Sequence, residues 1–221
     1  LENFDMPEVY NAVNRMQSTG FRVNKFVLDV MKHAWDNGIA MGGMPPIKNM
    51  EIPNKPHDID TNEVACKEWK KQAVIAHTEN SRMFSKRLLY AKILWEADKF
   101  KDYDNIYFPL QLDFRGRAYC VPAFLNYQGI NGAKALLDFS HGKEITEDNS
   151  GGFWLAVHGA NVWGNDKITL EQRADWSMDK DNMQMFRRIV EDPIVNREWE
   201  EADSPFQFLA WCKVWVEFQD K

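Results

Sequence analysis

Residues 106–119 read IYFPLQLDFRGRAY. An alternating aromatic run ends at Pro109, after which Asp113, Arg115, Gly116, Arg117 and Tyr119 fall within seven positions. A short β segment ending in Asp-x-Arg-Gly-Arg gathers a carboxylate, two guanidiniums and a closely approachable backbone at one turn. Gly116 has no Cβ, so the turn can take positive φ or lie against a phosphate. Arg115 and Arg117 carry planar forks that match phosphate oxygens and the ribose-rich face of an RNA strand. Tyr119, two residues past Arg117, shares its face of an extended strand and is placed to stack on a base. A plain surface hairpin in which Asp113 pairs with an arginine has the same composition, so the rest of the chain has to separate the two readings.

With 221 residues the chain is long enough for one large domain or two small ones with a sizeable core. A hydrophobic fraction of 44% and nine tryptophans exclude disorder. No apolar run approaches the roughly 18 residues of a membrane span, and no signal-peptide pattern opens the chain. A soluble, non-secreted protein with no membrane partner is expected. Cys66, Cys120 and Cys212 are widely spaced and read as reduced core thiols, and neither they nor the isolated histidines give a metal-ligand spacing. The net charge of −6 argues against a nucleic-acid partner. Its distribution argues the other way, since nine Lys/Arg stand against five Asp/Glu between Glu63 and Lys101. Screening confines charge effects to about 8–10 Å, so a basic element on an acidic body still holds a phosphate backbone. The chain opens at Leu1 without an initiator Met and runs to Lys221 in mid-pattern, which reads as a piece of something longer.

In chain order, residues 7–37 are helical by periodicity, with Pro7 in a first turn and a joint near 19–24 that leaves Asn24 to cap a second helix. Residues 38–60 hold four of the nine prolines and three glycines and form an irregular connector, the best boundary in the chain. Asp60 or Thr61 caps a long helical region that runs to about Phe100. Trp69, Ala73 and Ala76 give it one apolar face, and Phe84, Leu88, Ala91 and Trp95 another, widened by Leu89, Ile93 and Phe100. The polar middle, His77–Ser85, suggests a break between two antiparallel helices. Arg82, Lys86 and Arg87 cluster there, either as a solvated helix end or as the tip of a basic finger lying along a nucleic-acid backbone. Gln128-Gly129 and Asn131-Gly132 mark turns, and Ala133–Phe139 reads equally as short helix or buried strand. Lys134 approaches the Arg-Gly-Arg turn if residues 113–134 form a compact hairpin-like unit. From Gly152 the pattern is helical, with a break at Gly164 and a further helical run over Thr169–Val190. His158 reads as a hydrogen-bonded, partly buried histidine. A last helix from about Ser204-Pro205 to Phe218 is apolar nearly all round; it should be buried, though its full packing partner is not evident in this stretch.

Several segments taken in order resemble the single-subunit, bacteriophage-type DNA-dependent RNA polymerases, the family that includes the mitochondrial enzymes. They are MPEVYNAVN (6–14), EADKF (96–100), IYFPLQLDFRGRAY (106–119), NYQG (126–129), FWLAVHGAN (153–161) and DSPFQFLAWC (203–212). The resemblance implies a mainly α fold with a small β component (α+β). Residues 1–60 would close an amino-terminal domain, 61–104 would be thumb-like basic helices, 105–141 the start of a polymerase palm, and 142–221 a helical palm insertion. It also implies that Arg115, Arg117, Tyr119 and Lys134, with Lys86, Arg87 and Arg82 of the thumb, contact nucleic acid. Asp113 and Gly116 would support the motif, Asp113 by orienting Arg117.

The family's two metal-binding aspartates lie further along the chain, so this stretch alone is expected to supply no catalytic residue and no Mg2+ ligand. DNA template, nascent RNA, nucleoside triphosphates and the remaining palm and fingers are the implied partners. The cytoplasm of a phage's host is the implied location. Residues 38–50 match nothing in the family closely. Two other readings stand beside this one: a non-enzymatic nucleic-acid-binding module from a split or truncated polymerase, and a helical protein-interaction domain, which the acidic net charge favours.

Overall fold

The structure, a computed structural model, describes residues 5–146 and 150–221. It is mainly helical, with two small antiparallel two-stranded sheets. Pro7 opens α1 (Pro7–Gln17), where its missing N–H loses no helical bond. The joint near residues 19–24 is a strand, β1 (Phe21–Val23), leading into α2 (Lys25–Asp36). Asn24 caps α2 as expected, its side-chain oxygen accepting from the Val27 N–H at 3.0 Å.

Residues 63–100 form one unbroken helix, α3 (Glu63–Phe100), of 38 residues, about 57 Å long at 1.5 Å per residue. The break expected at His77–Ser85 is absent, and so is the antiparallel pair. The helix contains neither Gly nor Pro, and polar side chains on its surface leave the backbone ladder intact. Its cap is Asn62, which accepts from the Ala65 N–H at 3.1 Å, and neither Asp60 nor Thr61. The core-facing stripe differs in part: Ile93 is buried as expected, with Leu89 and Phe100 packed against the core, and Tyr90, Leu94 and Ala97 are buried beside it, whereas Phe84, Leu88 and Trp95 are exposed. The second stripe faces away from the core, although Leu88 and Ala91 line a groove with Ala34 and Trp35 of α2, and Lys32 of α2 reaches Asp98 at 2.6 Å.

The hairpin strands β2 (Leu110–Leu112) and β3 (Ala118–Cys120) follow, then α4 (Asn131–Ala135) and β4 (Leu137–Phe139). The ambiguous run Ala133–Phe139 is thus both helix and strand. β4 pairs antiparallel with β1, from Phe21↔Phe139 to Val23↔Leu137. α5 (Gly151–Trp163) ends at Gly164, whose φ of +119° needs a residue without a Cβ. The run Thr169–Val190 is two helices, α6 (Leu170–Met178) and α7 (Lys180–Glu191). Asp179 parts them by accepting from the Asp181 and Asn182 N–H groups at 3.0 and 3.1 Å.

A 3-10 turn (Glu198–Glu201) precedes α8 (Pro205–Gln219), which buries Phe206, Phe208, Leu209, Trp211, Cys212, Trp215 and Val216. It packs on α4, α5 and α7, so the missing partner expected for it is found within the chain. Trp211 donates to the Leu155 carbonyl at 2.7 Å and packs its ring against Gly159 of α5. One hydrophobic cluster runs from Val23 to Val216 and draws on all four stretches of the chain. Of the three cysteines only Cys212 belongs to it, and burial pushes that thiol up. Cys66 and Cys120 are half-buried, against the expectation of core positions.

Candidate nucleic-acid interface

The β2–β3 hairpin pairs Leu110↔Cys120, Gln111↔Tyr119 and Leu112↔Ala118, and residues 113–117 form its turn. The Asp113 carboxylate accepts from the backbone N–H of Arg115 at 2.8 Å and of Arg117 at 2.9 Å. The backbone closes the turn from within: the Asp113 N–H donates to the Arg117 carbonyl at 2.9 Å and the Gly116 N–H to the Asp113 carbonyl at 3.0 Å. Gly116 sits at φ +77° with open space on its side-chain side. Because Asp113 is engaged by backbone, it forms no ion pair with either arginine among the described residues. Both guanidiniums therefore project free of acceptors among the described residues, Arg115 lying over the Phe114 ring at 5.0 Å. Phe114 itself is 92% exposed and Tyr119 is 42% exposed.

This turn stands on a rigid base. The Gln128 side chain acts as a short extra strand along β3, accepting from the Cys120 N–H at 2.8 Å and donating to the Ala118 carbonyl at 2.9 Å. Gln17 at the end of α1 accepts from the Leu110 N–H at 2.7 Å. Below them, Phe21 of β1 meets Phe108, Tyr127 and Phe139 with ring centroids 5.1–5.3 Å apart. That aromatic knot fastens the hairpin's foot to the β1–β4 sheet, and at such distances ring pairs add about 0.5–1.5 kcal/mol each beyond their burial.

The basic residues of α3 divide by their partners. Arg82 pairs with Glu79 at 3.1 Å. Lys86 is exposed and makes no ion pair among the described residues. Arg87 is occupied by the connector: Nε donates to the Pro46 carbonyl at 2.8 Å, and the two terminal nitrogens donate to Asn49 Oδ1 at 2.9 Å and the Lys48 carbonyl at 3.2 Å. Lys134, on α4, lines an open groove with Asp138, His158, Gln207 and Trp211, a set that includes no residue of the Arg-Gly-Arg turn. The His158 side chain is exposed and makes no hydrogen bond among the described residues, against the expectation of a hydrogen-bonded, partly buried histidine, and desolvation by its surroundings lowers its pKa. Phe114 is the residue that sequence reasoning passed over. Its signal was present: a large aromatic inside a tight turn has no core to enter.

Among the described residues no group of three His, Cys, Asp or Glu side chains could hold a metal ion. No helix among them is long and apolar enough to cross a membrane.

A family model described as DNA-dependent RNA polymerase matches residues 146–220. The DNA-directed RNA polymerase of Enterobacteria phage T3 is 41% identical over 213 residues, 96% of this chain and 23% of that protein. T7 RNA polymerase of Escherichia phage T7 is 37% identical over 96% of this chain and 23% of its own length. The mitochondrial DNA-directed RNA polymerase of Neurospora crassa is 34% identical over 94% of this chain and 14% of its own length. The chain thus spans under a quarter of the relatives it matches. Over nearly its whole length it is homologous to the single-subunit DNA-dependent RNA polymerases of the phage and mitochondrial type.

Proposed function

We propose that the chain is part of a DNA-dependent RNA polymerase, which joins nucleotides from nucleoside triphosphates along a DNA template, and that its own residues hold the RNA–DNA hybrid and the template. The 113–117 turn carries this reading. It is a pre-formed projection with two guanidiniums free of acceptors among the described residues and two exposed aromatic rings, mounted on a rigid base. Guanidinium forks neutralise phosphates without sequence preference, which is what an enzyme that must copy any sequence requires. Phe114 and Tyr119 offer flat faces to bases or sugars at the same turn. Lys86 and Arg82, on the long helix, add phosphate contacts further along the duplex, and Lys134 offers another from α4. Mg2+ supplies the charge stabilisation of phosphoryl transfer in such enzymes. The described residues do not fit it, so its ligands are assigned to palm segments of the polymerase other than these, and no step through the metal is given to this chain.

The test is Arg117→Ala in the complete polymerase. Loss of one hybrid contact should raise short abortive transcripts severalfold relative to full-length product. The melting temperature should hold, because an exposed side chain with no protein partner contributes within about 0.5 kcal/mol of nothing to stability. Normal long-transcript yield from the variant would remove the turn from the hybrid-holding surface.

A further inference from the structure

The connector between α2 and α3 does not loop away into solvent; it is drawn back along α3. Arg87 takes the Pro46 carbonyl, the Lys48 carbonyl and the Asn49 side chain. Two turns nearer the helix start, Asn80 accepts from the Met50 N–H at 2.7 Å and donates to the Met50 carbonyl at 2.9 Å. Trp69 then donates from its indole to the Pro53 carbonyl at 2.9 Å. Positions 69, 80 and 87 lie on one stripe of a helix, and Ala73 and Ala76, both buried, lie on it between the first two anchors. From Trp69 to Arg87 the helix advances about 27 Å. Residues 46 to 53, fully stretched, cover at most about 25 Å. The segment therefore has to run almost straight to reach all three anchors, which is the conformation that Pro45, Pro46 and Pro53 favour.

We propose that residues 46–53 are a strap that splints the part of α3 lying outside the core, and that Arg87, Asn80 and Trp69 are positioning residues for what α3 grips, not contacts to it. The role of α3 in gripping a hybrid rests on the function proposed above; the strap does not. Between Ala76 and Tyr90 the helix buries no residue. A solvated helix of that kind frays readily, so a lateral tie has a purpose there. The acceptors also decide what Arg87 can do. A guanidinium whose three nitrogens all face the connector has little left for a phosphate. A lysine at that position keeps the charge but cannot span three separated acceptors.

Arg87→Lys is therefore the decisive variant, with Arg87→Ala and Asn80→Ala beside it, made in the intact protein. Two quantities are read: hydrogen exchange at the Met50 amide and along residues 77–88, and binding of a short RNA–DNA hybrid at several salt concentrations. The expected result is that all three variants speed exchange at both places by about tenfold or more. They also weaken hybrid binding while leaving the salt slope as in the parent. Lys86→Ala, the comparison, lowers the slope by about 0.7–0.9 and leaves exchange at Met50 alone. If Arg87→Lys matches the parent while Arg87→Ala loses affinity and salt slope, Arg87 is a phosphate contact and the strap is overturned. Fast exchange with unchanged hybrid affinity would also overturn it, since the strap would then position nothing. If the parent binds no hybrid, the proposed function fails. The strap is then judged on exchange alone, and parental protection in Arg87→Lys refutes it.

Discussion

Asp113 acts on the backbone, and that sets the consequences of changing its neighbours. A carboxylate accepting two amide N–H groups of its own turn is a local template, so the conformation of residues 113–117 does not depend on a ligand. Gly116 is the one place in that turn where φ is positive. A Cβ there would meet nothing within 4 Å, so substitution carries a backbone cost and no steric one. Gly116→Ala should lower stability by about 1–2 kcal/mol, the left-handed penalty for an L residue, with the hairpin retained. Thermal or urea unfolding measures it, and a neutral substitution would mean the turn relaxes to another form. At this scale the sequence was informative: Asp, Gly and two Arg in five positions specify the turn chemistry. Phe114 was harder to see because hydrophobicity alone assigns a phenylalanine to a core.

Among the elements, the β1–β4 pair sets an unusual charge environment. Asp138 lies opposite Arg22 and accepts from Asn24 Nδ2 at 3.2 Å. Burial nevertheless outweighs both and raises its pKa above the ordinary carboxylate value. A folded-state pKa above the unfolded one means the native form takes up the proton first. Asp138 therefore weakens the fold at neutral pH and ceases to do so as pH falls through its raised pKa. Asp138→Asn should raise the melting temperature at pH 7 and do so less at pH 4. Equal loss at both values would show that the Asn24 hydrogen bond outweighs desolvation. β1 escaped the sequence reading, since three residues cannot display a period of two, whereas β4 falls within the run Ala133–Phe139 that reads equally as short helix or buried strand. The continuity of α3 escaped it for a different reason. A polar run of nine residues looks like a break when polarity is taken as a sign of chain reversal. The absence of Gly and Pro was the better guide.

At the scale of the whole molecule, the segment FWLAVHGAN is explained by packing. Gly159 faces Trp211, and a Cβ there would fall 2.1 Å from its ring. Gly159→Ala should therefore cost about 3 kcal/mol through overpacking between α5 and α8, visible as a lower melting temperature with loss of the near-ultraviolet tryptophan signal. An unchanged melting temperature would mean that α8 can shift on α5 without penalty. The mainly α architecture, the ends of most helices and the burial of α8 were legible because each depends on local periodicity or on a cap. The aromatic knot at Phe21 was not, because it joins residues 87 to 118 positions apart. That separation bears on how the protein is made. Phe21 to Val23 must wait for Leu137 to Phe139 before their sheet exists, whereas the strap meets α3 across only 16 to 41 residues. On a ribosome the splinted helix can be complete while the hairpin's foundation is still missing its last strand, so the long helix forms early and the sheet under the hairpin is closed last.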